Sequence, residues 1–183
     1  MIDGVWETPS VVLVSGIMAA GKSTVAEALA RRLPRAVHLR GDVFRRMVVS
    51  GREEMTAEPS PEAWRQLRLR YDLAASAADR YAAAGFTVVL QDVILGAELP
   101  AMVDRIRHRP LAVVVLAPSP EAVAAREDAR EKKGYGDWPV ADLDAQFRAE
   151  TPRIGLWLDT SALTPARTVD EILARAWTDG RVG

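Results

Sequence analysis

Cysteine is absent from this chain of 183 residues, so neither disulfides nor thiolate metal sites contribute, and thiol usage says nothing about redox compartment. Lysine is nearly absent: Lys22, Lys132 and Lys133 stand against a background of arginine. Histidine is limited to His38 and His108, neither with a carboxylate or histidine partner at metal-ligand spacing, so both are read as non-catalytic. There is no excess of one charge either. The formal net charge of -1 excludes the broad basic field that drives non-specific nucleic-acid binding, and no nucleic-acid partner is expected. The five tryptophans, lacking a basic stripe, read as packing residues. No apolar run approaches the roughly eighteen residues of a membrane span. The opening residues are acidic rather than a basic segment followed by an apolar one, so the expectation is a soluble, cytoplasmic protein with no membrane partner. The length suits one domain, 1–183, as a monomer or homodimer.

What is present is more informative. Gly16-Ile17-Met18-Ala19-Ala20-Gly21-Lys22-Ser23-Thr24 fits G-x-x-x-x-G-K-[ST], directly after the apolar run Val11 to Val14 and at the start of an amphipathic helical stretch. The glycines let the backbone curl so that successive N–H groups point into one concavity, and the helix beginning near Lys22 adds the positive end of its dipole. Lys22 is placed to reach the β- and γ-phosphates and the Ser23 hydroxyl to ligate Mg2+, with Ala19, Ala20 and Thr24 completing the cradle. A phosphate-binding loop for ATP and Mg2+ follows.

Strand and helix signals alternate along the rest of the chain. Val11 to Ser15 reads as a buried strand, followed by Val25, Ala28, Leu29 and Leu33 at helical spacing up to Pro34. Ala36 to Arg40 is a second strand, with a helix from Val43 to about Ser50 and a surface loop over Gly51 to Pro61. Ser60-Pro61 caps a long helix on which Trp64, Leu67, Tyr71, Ala74, Ala78 and Tyr81 recur at steps of three and four until about Ala84. Phe86 to Leu90, Leu111 to Leu116 and Ile154 to Leu158 read as strands; Ala97 to His108, the stretch from Ser119-Pro120-Glu121, and Val140 to Glu150 read as helices. Thr168-x-x-Glu171 reads as a capping box opening a C-terminal helix. Near-continuous apolar strands alternating with helices predict a parallel α/β sheet covered on both faces. Ligands on such sheets sit at the C-terminal ends of the strands, which gathers the loop, Gly41-Asp42, Gln91-Asp92, Ala117-Pro118 and Asp159-Thr160 along one edge.

Asp42 at that edge is placed to orient or deprotonate an acceptor hydroxyl, or to cap the helix that follows it. Arg45 and Arg46 either touch substrate or face solvent. Asp92 serves Mg2+, binds substrate or caps a loop. Arg126 and Arg130 precede Gly134 and Gly136 and read as a mobile lid over about 126–138 that neutralises developing charge and excludes water; the alternative is a surface helix laced with i, i+4 pairs such as Asp128 and Lys132.

Gly16 to Thr24, Gly41-Asp42, Gln91-Asp92-Val93-Ile94-Leu95-Gly96, Arg126 to Arg130 and Leu158-Asp159-Thr160-Ser161 together resemble the small P-loop kinases, particularly their chloramphenicol phosphotransferase-like branch. That resemblance implies a three-layer P-loop kinase fold with a five-stranded parallel sheet of order 2-3-1-4-5. It also implies a base at Asp42, lid arginines at Arg126 and Arg130, and adenine near Arg126 and the loop Thr160 to Pro165. The surroundings of Asp42 look closer to gluconate and adenylylsulfate kinases, and the acceptor-binding region falls at about 42–84. The expected activity is ATP- and Mg2+-dependent phosphate transfer to a hydroxyl of a small molecule, an antibiotic among the candidates in a resistance-type inactivation. Two other readings stay open: a nucleoside, nucleotide or polynucleotide-end kinase, favoured by any basic patch around Arg65, Arg68 and Arg70, and a nucleotide-dependent switch or ATPase.

Overall fold

Val11–Ser15 (β1) is buried along its whole length and lies at the centre of the sheet. The computed structural model describes residues 4–129 and 140–183. On one side β1 pairs in parallel with Thr87–Gln91 (β3), Leu13 opposite Leu90, and on the other with Leu111–Leu116 (β4), Leu13 opposite Val113. Ala36–Arg40 (β2) extends the sheet beyond β3 and Leu156–Leu158 (β5) beyond β4, giving the parallel order 2-3-1-4-5. Valine and leucine fill both faces of β1 and β4, because helices cover the sheet on either side.

Those helices are Lys22–Arg32 (α1), Asp42–Arg46 (α2), Pro61–Ala83 (α3), Glu98–Arg105 (α4), Pro120–Asp128 (α5), Val140–Glu150 (α6) and Pro165–Asp179 (α7). Helix α1 packs against α7, and α3 against α4. Three helices start alike, with a hydroxyl followed by proline: Ser60, Ser119 and Thr164 each accept from the backbone N–H three residues on. No described helix is long and apolar enough to cross a membrane.

The structure corrects several sequence expectations. Helix α7 begins at Pro165 under a Thr164 cap; Thr168 is inside it, buried, with its hydroxyl on the Thr164 carbonyl at 3.0 Å. The last parallel strand starts at Leu156, because Gly155 turns at φ 77 with its Cα packed against the Val113 backbone. A two-residue strand, Arg181–Val182 (β6), adds to the sheet antiparallel to β4. Helix α2 stops at Arg46, short of Ser50. On α3, Tyr71, Ala74 and Ala78 are buried as the periodicity requires, whereas Trp64 and Tyr81 are exposed at the two ends. His38 does have a carboxylate partner: its Nδ1 lies 2.7 Å from Glu27 across β2 and α1.

Truncating Leu13 at the sheet centre to alanine should lower unfolding free energy by about 2–5 kcal/mol, whereas Val49→Ala on the exposed loop should change it by about 0.5 kcal/mol or less. Urea midpoints of the two variants check the contrast, and equal midpoints would contradict the burial described.

Candidate active site

The turn from β1 into α1 is shaped by close backbone approach. Gly16 sits at φ 143 against β4, where a Cβ would stand 2.5 Å from the Leu116 carbonyl oxygen, so only glycine fits. Ala19 at φ 59 and Gly21 at φ 94 complete the curl, and the Ala20 N–H closes it on the Ile17 carbonyl at 3.3 Å. Lys22 is buried and donates from Nζ to the Ile17 carbonyl at 2.7 Å, so its ammonium is held within the concavity of the loop. Ser23 and Thr24 are exposed on the first turn of α1 and line the adjoining cleft.

Arg126, from the end of α5, ties this loop to the far side of the sheet. It donates to the Ala20 carbonyl at 3.3 Å and to the Thr160 carbonyl at 2.6 Å. The exit loop of β5 is stiffened by Asp159, whose carboxylate accepts from the Ser161 backbone and hydroxyl and is held below its usual pKa by them. Thr160 is buried in the cleft wall with its hydroxyl unpartnered. An orphaned hydroxyl beside a fixed guanidinium is suited to reading a ligand edge. Arg130 and the lid region beyond it lie outside the described residues.

Asp42 is the first residue of α2, and Gly41 occupies the cap position with no side-chain bond, so the carboxylate does not cap the helix. It reaches along the helix to Arg45 Nε at 3.1 Å and Arg46 Nε at 2.8 Å. Burial alone would raise its pKa, but the Arg46 and Arg45 guanidiniums outweigh that and hold it below the ordinary aspartate value.

Asp92 is committed elsewhere. Both of its oxygens meet Arg70 of α3, with Nε 2.7 Å from Oδ2, and Oδ1 also accepts from the Val93 N–H at 2.7 Å. Asp92 is buried and Arg70 half-buried, and the Asp92 carboxylate fills the space where a Cβ on Gly41 would be. Asp92 therefore holds α3 against the end of β3. The loop after β3 is pinned further by Ser15 donating to the Ile94 carbonyl at 2.6 Å, Tyr71 donating to the Val93 carbonyl at 2.7 Å, and Gly96 N–H donating to Thr151 Oγ1 at 2.9 Å.

The phosphate loop, Arg126, Thr160, Asp42, Arg45 and Asp92 all border one cleft of about 1710 Å3, roomier than the ~300–1,000 Å3 of a pocket for one small ligand. Among the described residues no group of three or more His, Asp or Glu gathers at metal-ligating positions. A divalent cation there would take one oxygen from Ser23 and the rest from phosphate and water, a ligand set that suits Mg2+.

Residues 11–152 match the model of the AAA domain family. The chain belongs to that family. No curated protein matches it at a significant level. Among solved structures it resembles a gluconokinase from Sinorhizobium meliloti 1021, with 23% identity, 92% of this chain and 91% of the other covered, and a TM-score of 0.61. It also resembles the Mycobacterium tuberculosis APS kinase in complex with AMPPNP and APS, with 16% identity, coverage of 91% and 96%, and a TM-score of 0.66. A third is the Deinococcus radiodurans tunicamycin resistance protein, with 17% identity, coverage of 95% and 98%, and a TM-score of 0.64. At these identities the likeness establishes a P-loop kinase-like fold for this AAA domain.

Of the residues singled out from sequence, Ala19 to Thr24, Asp42, Arg45, Asp92, Arg126 and Thr160 line the cleft, far apart in the chain as they are, whereas Gly16, Ala117, Pro118 and Asp159 are not among its lining residues. Arg65, Arg68 and Arg70 form no common basic patch, since Arg65 pairs with Glu62, Arg68 with Glu98 and Arg70 with Asp92. The joint role of Arg70 went unseen because its partner is 22 residues away and no local spacing links them. Gln66 was missed too: it donates to the Gly51 carbonyl at 2.8 Å and accepts from the Glu53 N–H at 3.0 Å, fastening the 51–60 loop onto α3.

Replacing Arg70 with methionine strands a buried carboxylate and should cost about 3–5 kcal/mol, most of it recovered in Arg70→Met/Asp92→Leu. Thermal or urea unfolding of the single and double variants measures this, and additive losses in the double variant would contradict the pairing.

Proposed function

We propose that this chain is an ATP- and Mg2+-dependent O-phosphotransferase that moves the γ-phosphoryl group to a hydroxyl of a small molecule, an antibiotic hydroxyl being within that class. The observation that carries this reading is that the phosphate loop and Asp42 open into one cleft large enough for a nucleotide and a second substrate. A loop alone serves switches and kinases equally; a carboxylate facing the same space supplies acceptor-side chemistry. The kinase fold of the neighbours adds support.

In this reading the 1–183 chain is one kinase domain, with residues 42–84 shaping the acceptor side and about 126–138 acting as a lid. The backbone N–H groups from Gly16 to Thr24 cradle the β- and γ-phosphates, and Lys22 turns from the Ile17 carbonyl to the phosphate oxygens. Ser23 would hold Mg2+, which would supply neutralisation of phosphate charge. Arg126 holds the adenine side with Thr160, and Arg130 adds positive charge as negative charge develops during transfer. Asp42 accepts a hydrogen bond from the acceptor hydroxyl and aims its oxygen at phosphorus. Because Arg45 and Arg46 depress its proton affinity, Asp42 orients the hydroxyl first and takes the proton late, as the phosphorus–oxygen bond forms.

Lys22→Ala should lower kcat by about 100-fold or more, and Asp42→Asn by about 100-fold to 10,000-fold, with circular dichroism unchanged in both. Full transfer by Asp42→Asn at saturating acceptor would remove Asp42 from the chemistry. The depressed pKa sets the pH dependence: the carboxylate stays ionised as pH falls through the ordinary aspartate range, so kcat/KM should show no acid limb from Asp42 within that range. Arg46→Gln should shift that limb upward; a limb that stays put in the variant would break the assignment.

A further inference from the structure

Helix α3 buries one side, with Tyr71, Ala74 and Ala78, and leaves the other bare. At 3.6 residues per turn, Glu62, Leu69, Leu73 and Arg80 fall in one stripe on the side opposite Tyr71. Leu69 is 53% and Leu73 43% exposed, although a solvent-facing stripe of a helix ordinarily carries polar side chains. Helix α2, which packs against α3, adds exposed Val43 and, just past its end, exposed Met47. Large apolar side chains exposed in a group mark a surface that another molecule covers.

The charges of the stripe say which molecule. Glu62 stands in the first turn and Arg80 in the last, about 27 Å apart along the axis. Glu62 has Arg65 beside it at 2.5 Å on the surface, and the Arg80 guanidinium has no ion pair among the described residues. Reversing the helix about the level of Tyr71 exchanges Leu69 with Leu73 and Glu62 with Arg80. A second α3 laid antiparallel across a two-fold axis at that level therefore sets leucine on leucine and each end charge on its opposite. Arg65 and Gln66 then meet the short side chains of Ala77 and Ser76. A parallel arrangement would set Glu62 on Glu62 and Arg80 on Arg80, which repels at both ends. An unrelated partner would need no such symmetry; a second copy of this chain supplies the complementary surface by itself.

We infer that the outer face of α3 is the interface of a homodimer, with Leu69 against the partner's Leu73 and Glu62 against the partner's Arg80. Leu69 and Leu73 also border the cleft, so the second copy stands at its outer margin. The inference does not draw on the phosphate loop or Asp42, and it stands or falls apart from the phosphotransfer reading.

Sedimentation equilibrium of the full chain over a range of concentrations is the test, and we expect a reversible dimer. Leu69→Glu/Leu73→Glu should raise the dissociation constant by about tenfold or more with an unchanged circular dichroism spectrum, since both side chains are exposed within one chain. Charge reversal separates this register from general apolar association. Glu62→Arg and Arg80→Glu should each weaken the dimer by about threefold or more, because like charges then meet at both ends. An equimolar mixture of the two should recover the original affinity, since each chain then faces its opposite. The chain has no cysteine, so orientation is read by cross-linking. A mixture of Glu62→Cys and Arg80→Cys chains should couple through a short bis-maleimide, and Glu62→Cys alone should not. A chain that is monomeric at every concentration, a dimer indifferent to the leucine changes, a charge-reversed mixture no tighter than its components, or coupling of Glu62→Cys alone would each overturn the inference.

Discussion

The central place of β1 is the constraint on which the rest of the molecule depends. Strand β1 is hydrogen-bonded to parallel neighbours on both edges, so its backbone polar groups are satisfied only in that register and its side chains must be apolar on both faces. The same register carries its C-terminal end to the level of the ends of β3 and β4. Gly16 can then lie against the Leu116 carbonyl, and the phosphate loop is shaped by β4 as much as by its own glycines. A cradle set rigidly on a buried strand is preorganised for polyphosphate, with little ordering left to be done on binding.

A second joint builds the acceptor side. Asp92 leaves the end of β3, meets Arg70 on α3 and presses on Gly41, so one ion pair on a buried carboxylate sets the spacing of β3, α3 and the start of α2. Asp42 follows Gly41 directly, and its position is inherited from that joint. Its protonation is governed separately, by the two arginines one turn further along α2. Geometry and proton affinity of the same carboxylate are thus controlled by different neighbours.

The cleft combines two kinds of surface. The loop side offers backbone N–H groups, Lys22, Arg126 and the unpartnered Thr160 hydroxyl, all suited to a polar, anionic ligand. The side formed by α2 and α3 offers indole, thioether and aliphatic carbon together with the carboxylate-paired Arg68 and Arg70 and with Arg40.

How much of this was legible in the sequence follows from the range of the interactions. The glycines and Lys22, the runs Val11 to Ser15 and Leu111 to Leu116, and the Ser60-Pro61 and Ser119-Pro120 caps act within a few residues, and chain order alone disclosed the strand-helix alternation they create. Thr168 misled because a capping box looks the same wherever it falls, and only the packing of α7 decides that Thr164 starts the helix. The strand order came from a family likeness, which compresses tertiary information into motif. The partner of Asp92, the anchoring of the 51–60 loop by Gln66, the link from Arg126 to the phosphate loop and the pairing of Arg68 with Glu98 came only from the folded chain. Each joins residues on different elements, up to 106 positions apart for Arg126 and Ala20. Local pattern determined the phosphate loop and the layered α/β plan, because short-range backbone preference and side-chain periodicity suffice for both. The tertiary structure alone decided which charges face the cleft unpaired, because a charge is cancelled by whatever lies beside it in space.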